Sequence, residues 1–300
     1  MIRPGLYTHD MRALFVLLFV LASAPSVGVA GETVTFTRTA LKGNQTLTST
    51  ESLTMNFGID IFVGEANLGS LRAENAQMET FTVELGKWTA KKRAATFSYG
   101  KNGSVEKQTT PDGKTEVKDE PSPVSGKAFK LTSKKGAEPT IVYAGGGEPS
   151  EEERAEVLED WNDLIADEPS EFESAFVDQE LEVGADLTTY GQVLATLLSL
   201  DDDELTVKDP KLVFKEVRVD AGERCAVFDV ELTIVGDDAE MHMEMAAKGE
   251  AIVSIKGARL HSVAIAGPVT LAAAIEEDGV AMTMQGGGDF AFSLAQTYGR

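Results

Sequence analysis

Residues 223 to 235 read ERCAVFDVELTIV, and this alternation is the feature that most restricts what the chain can become. Successive side chains of a strand point to opposite faces, so Ala226, Phe228, Val230, Leu232 and Ile234 fall on one side and Cys225, Val227, Asp229, Glu231 and Thr233 on the other. The same period of two recurs along most of the chain, at Leu53, Met55, Phe57 and Ile59, at Phe81, Val83 and Leu85, at Phe97 and Tyr99, and at Phe129 and Leu131. It returns late at Met241, Met243 and Met245, at Val269, Leu271 and Ala273, at Val280, Met282 and Met284, and at Phe290, Phe292 and Leu294. Short runs with one apolar face, bounded by Gly, Asn, Asp or Lys, predict antiparallel strands packed by one face on a core. DAGER at 220–224 and EEDGVA at 276–281 have the composition of hairpin connections. The expected fold is α+β and predominantly antiparallel β, a curved sheet or partial barrel of many short strands.

Two segments depart from that period. In EPSEEERAEVLEDWNDLIAD, Ser150 and Glu153 have the spacing of a capping box, and Ala155, Leu158, Trp161 and Ile165 share one face, which predicts an amphipathic helix over about 150–167 with its carboxylates on the other faces. TYGQVLATLLSL predicts a shorter helix at about 189–199. Residues 109–126, TTPDGKTEVKDEPSPVSG, carry three prolines and little apolar content and predict a surface loop. Residues 31–300 can form a single β-rich domain, or two lobes, 31–147 and 175–300, joined by the acidic helical segment 148–174.

The N-terminus points to export. Ala13 to Ala22 is an unbroken apolar run of ten after Arg12, too short to cross a bilayer and right for the core of a signal peptide, with Gly28 and Ala30 as small residues before a cleavage point. Residues 1–30 are therefore expected to be removed, and Met11 can be the true start. Nothing after residue 31 is apolar for long enough to span a membrane as a helix, which predicts a soluble protein, periplasmic or extracellular. A single cysteine permits no intramolecular disulfide. The full chain has a formal net charge of −22, which excludes the basic surface that nucleic acid requires. The charge is uneven: residues 148–182 hold 15 acidic residues against Arg154 alone, and residues 87–135 hold 12 basic against 5 acidic. Two solvated faces that attract each other account for this, or a basic segment that meets an anionic envelope component.

Catalytic signatures are sparse. Cys225 falls on the more polar face of its strand, where Arg224 points the other way, and reads as an inert, half-buried thiol. His242 faces away from the three methionines around it and reads as solvated, while His261 shares a face with Val263 and Ile265 and reads as structural. No HExxH, CxxC or hydrolase-elbow spacing occurs, so no catalytic residue, metal site or cofactor is expected. The acidic turns DDDE at 201–204 and GDDAE at 236–240 lack the ligand spacing of a calcium loop.

PSPVSGKAFKL at 121–131, the acidic helix, LEVGADL at 181–187 and KGEAIVSIKGARLHSVAIAGPVTL at 248–271 together resemble bacterial exported proteins and lipoproteins of unknown function. That resemblance implies a terminal meander of strands and glycine turns, and no catalytic residue. A similarity of architecture extends to periplasmic lipoprotein carriers, whose curved sheet encloses an apolar cavity under helices. It implies that the helix bearing Trp161 could cover a site lined by Met241, Met243, Met245, Met282 and Met284. The expectation is a non-catalytic exported protein binding an apolar or amphiphilic envelope ligand between sheet and helix. The alternatives are a carboxylate-dependent envelope hydrolase and an interaction or scaffold protein with an envelope partner.

Overall fold

The structure is a computed structural model, and it describes residues 31–39, 41–89, 91–134, 137–165, 171–188, 205–237, 241–277 and 280–299. The signal segment with Met11, the helix expected at 189–199, the DDDE turn and the middle of the 276–281 connection lie outside the described residues. No described helix is long and apolar enough to cross a membrane.

Fourteen strands and two helices are described, and every pairing between the strands is antiparallel. The first array runs β10 (Leu205–Asp220), β11 (Glu223–Asp237), β12 (Met241–Ser254), β13 (Leu260–Glu277), β14 (Val280–Gly299) and β2 (Thr46–Val63). The second runs β6 (Thr115–Pro121), β5 (Gly103–Thr109), β3 (Ala66–Leu85), β4 (Lys92–Tyr99), β7 (Ala128–Lys134) and β8 (Thr140–Tyr143). β1 (Thr33–Thr35) pairs with β9 (Glu180–Glu182). Strands β2 and β3 are the arms of a hairpin that turns at Gly64 and Glu65, so the two arrays meet along it. Thr48 Oγ1 lies 3.2 Å from Thr82 Oγ1 across its arms. The strand order is linear, and the sheet stays open rather than closing into a barrel.

Alternation decides which face is covered. Leu53, Met55, Phe290, Phe292, Val263, Ile265 and the even-numbered residues Ala226 to Ile234 share the inner face of the first array and are buried in one cluster. Phe36 and Phe176, the latter on α2 (Glu171–Phe176), close one end of that face, with ring centroids 5.4 Å apart and Phe176 5.3 Å from Phe228. Glycine lets the strands approach closely here. A Cβ at Gly249 would stand 1.8 Å from the Ala264 carbonyl oxygen, and one at Gly288 1.8 Å from that of Asn56.

α1 (Glu151–Ile165) packs on the second array, where Val157 and Trp161 are buried with Val83, Phe97, Tyr99, Phe129 and Leu131. Its capping box forms as the spacing predicts: Glu153 N donates to Ser150 Oγ at 3.2 Å, and Ser150 N donates to a Glu153 carboxylate oxygen at 2.5 Å. The face turned to the sheet overlaps the expected one but is shifted: Leu158 and Trp161 pack as expected, with Leu164, while Ala155 is exposed and Val157 and Glu153 turn inward in its place. The reason is the clamp on Glu153, which also accepts hydrogen bonds from Lys127 Nζ and Tyr143 Oη at 2.6 Å each and so turns inward.

One further expectation changes. The 109–126 segment is not a plain loop, since its middle, Thr115–Pro121, is the strand β6, which pairs with β5 from Thr109↔Thr115 to Gly103↔Pro121 around a turn at residues 110–114. Both faces of β6 are exposed, which is why it shows no apolar period. β2 joins the C-terminal strands in the first array, and β1 pairs with β9. Several strands are long, 20 residues in β3 and β14 and 18 in β2 and β13. The 220–224 connection is the expected hairpin: Ala221 and Gly222 both take positive φ, 47° and 86°, as a two-residue turn requires.

Candidate functional site

The methionines come together on the inner face of the first array, at the end away from the phenylalanine cluster. Register aligns Met243 with Leu271 and Gly286, and Met241 with Ala273 and Met284, which in turn pairs with Ile61. Ile275, Met282 and Val63 form the row beyond. Met245 is buried in the core, while Met241, Met243, Met282 and Met284 are half-buried, and their outward neighbours His242, Glu244, Thr283 and Gln285 are exposed. The apolar face therefore continues past the packed core as a strip of flexible thioethers and aliphatic chains, a surface that adapts to irregular apolar shapes.

Trp161 is not part of this strip. It is fully buried in the other cluster, edge-on to Trp88 at 6.2 Å and to Phe97 at 6.4 Å, and the space between α1 and its sheet is filled by these rings. The cover that α1 was expected to supply over the methionines is formed over the second array instead. An open depression of about 460 Å³ lies at the first turn of α1, lined by Ser150, Glu151, Glu152 and Ala155. Its carboxylates make it unsuited to an anion.

Cys225 and His261, 36 residues apart in sequence, meet with Sγ 3.7 Å from Nδ1. Asp220 and Glu223 each approach the imidazole to 3.5 Å. Cys225 is fully buried rather than half-buried. Burial, followed by the charges of Asp220 and Glu223, pushes its thiol up to about 12, so it is a thiol and not a thiolate at neutral pH. His242 is exposed and hydrogen-bonds Asp237. Among the described residues no group of three or more His, Cys, Asp or Glu is placed to hold a metal ion.

A cluster that the sequence reading passed over lies between α1 and the β2–β3 hairpin. The Thr48–Thr82 register sets Glu51 opposite Glu79, and Asp160 of α1 accepts a hydrogen bond from Tyr99 Oη at 2.5 Å. Burial raises Glu51 to about 7, with the Glu79 charge adding to it. Burial likewise raises Asp160 to about 7, opposed by the Tyr99 hydrogen bond and reinforced by Glu79, Glu156 and Asp163. Glu79 is raised by burial too, against the hydrogen bond it accepts from Gln77. The sequence carries a signal for two of these: Glu51 stands in phase with Leu53 and Met55, and Glu79 in phase with Phe81 and Val83, where alternation calls for apolar residues.

No protein-family model matches the chain, and no curated protein matches it. Among solved structures it is similar to the translocator domain of the autotransporter NalP from Neisseria meningitidis, with 10% identity, 85% of this chain and 88% of that one covered, and a TM-score of 0.20. It is also similar to the outer membrane protein OprG from Pseudomonas aeruginosa, with 7% identity, 86% and 98% covered, and a TM-score of 0.15. Such scores lie well below those of chains that share a fold. What the chain itself defines is an open, antiparallel β-rich protein with a helix-covered second array.

Proposed function

We propose that this is an exported, non-catalytic protein that holds an apolar or amphiphilic envelope molecule on the inner face of its first array. The strip of Met241, Met243, Met282 and Met284 carries the proposal, because it prolongs the apolar face beyond the core while its outward neighbours are polar or small. An acyl chain laid along these rows would meet unbranched, polarizable side chains that repack at little cost. Chemistry on the ligand is not part of this reading, since the carboxylates whose pKa is raised lie between α1 and the sheet it packs on. The expected occupant is therefore carried and not cleaved.

The test is native mass spectrometry of the chain exported by a bacterial host and purified without detergent, with organic extraction of bound material. A co-purifying lipid is expected. Met284→Asp should lose it at least tenfold, while Thr283→Asp, which points outward on the same strand, should keep it. A bare mass from folded wild-type protein, or equal occupancy in the two variants, would overturn the proposal.

A further inference from the structure

α1 is held to the second array at two places with opposite electrostatics. Its first turn is clamped by Glu153, which Lys127, Tyr143 and Ser150 surround with donors, and this carboxyl is held down to about 2. That anchor stays ionised through the physiological range. Seven residues on, Asp160 turns to the sheet and accepts the hydrogen bond of Tyr99 on β4; Tyr99 pairs with Phe81, which puts Glu79 next on the same face of β3, and Glu51 of β2 stands opposite Glu79. From the helix itself Glu156, Glu159 and Asp163 add negative charge. β14 presents Leu294 opposite Glu51, and Gln77 of β3 is a neutral donor to Glu79. All the charges that bear most on Asp160, Glu79 and Glu51 are negative. Like charges brought together between packed elements cannot all ionise without strong repulsion, so protons must be shared among them.

We propose that Glu51, Glu79 and Asp160 form a proton-operated latch, which holds the C-terminal half of α1 on the second array when protonated and releases it when the cluster ionises. The Glu153 clamp makes the first turn the hinge. Release uncovers Trp161, Val157 and the Phe97 face, which are fully buried in the latched state. The inference rests on this cluster alone and stands apart from any ligand on the methionine strip.

Trp88→Phe leaves Trp161 as the sole indole, so fluorescence and acrylamide quenching report on the helix face. From pH 5.5 to 8.5 the quenching constant is expected to rise about threefold, with a midpoint near neutrality. Amide exchange of residues 157–164, corrected for intrinsic rates, should quicken about tenfold per pH unit for each proton released on opening. Exchange at 151–154 should not change. Adding Glu51→Gln, Glu79→Gln and Asp160→Asn together, which keep the size and a hydrogen-bonding group but remove the charges of all three, should hold the helix down and flatten both profiles. A flat wild-type profile would overturn the latch. So would a pH dependence that survives when all three carboxyls are replaced. Circular dichroism on each sample separates local release from loss of the fold.

Discussion

Cys225 illustrates how a single side chain takes its character from its surroundings. With its pKa pushed up to about 12, the thiolate at pH 8 amounts to roughly one part in ten thousand, and the sulfur is out of contact with solvent. Ellman's reagent at pH 8 should leave the native protein unmodified over hours and titrate one thiol per chain in 6 M guanidinium. Rapid reaction of the native protein would show that this corner opens. Gly288 makes the complementary point about backbone approach. Gly288→Ala would drive a methyl into the Asn56 carbonyl of the next strand, which is backbone and cannot swing aside. Overpacking of this kind costs about 1–3 kcal/mol, measurable as a lower urea midpoint with an unchanged m-value. Gly64→Ala, at the open hairpin turn with nothing near its Cβ, strains only its own positive φ and should cost less.

At the scale of elements, α1 shows what local chemistry specifies and what it leaves open. Ser150 and Glu153 announce the helix start because each satisfies the other's backbone donor, and that interaction lies wholly within four residues. Ser150→Ala should cost about 1 kcal/mol in thermal or urea unfolding. The face the helix buries depends on Lys127 and Tyr143, which fold in from elsewhere, so the periodicity that finds Leu158 and Trp161 also takes in the exposed Ala155 and misses Glu153 and Val157. The β5–β6 hairpin hides from pattern analysis for a related reason: a strand exposed on both faces has no apolar period. The methionine strands are legible because alternation fixes a face within one strand. Their distance from Trp161 is not legible, because it depends on which array α1 chooses. Glu51 and Glu79 are visible as charges in apolar phase, but their partner Asp160 comes from an element 81 residues further along the chain than Glu79.

For the whole molecule, these local shifts set how stability depends on pH. Glu51 and Asp160 have folded-state pKa values raised to about 7, well above those of the unfolded chain. The native state binds the extra protons, so their contribution is fully present below the ordinary carboxylate range and is lost as pH rises through about 7. Glu153 has the opposite sign: its contribution is present above the ordinary range and is lost as pH falls toward about 2. The contribution of these groups should therefore be greatest near the ordinary carboxylate range, about pH 4 to 5, and decline toward pH 8.5. A decline on the order of 2 kcal/mol would lower the Tm by about 5 °C for a chain of this size. The formal net charge of −22 would also disfavour the compact state as pH rises, and salt distinguishes the two causes. Repulsion between exposed charges is screened at 1 M salt, where the Debye length is about 3 Å, whereas a cluster enclosed between helix and sheet is screened much less. Calorimetry from pH 5 to 8.5 should thus show a decline that persists in 1 M NaCl and shrinks in the Glu79→Gln, Asp160→Asn protein. A decline abolished by salt would assign the effect to net charge and remove the buried carboxylates as its cause.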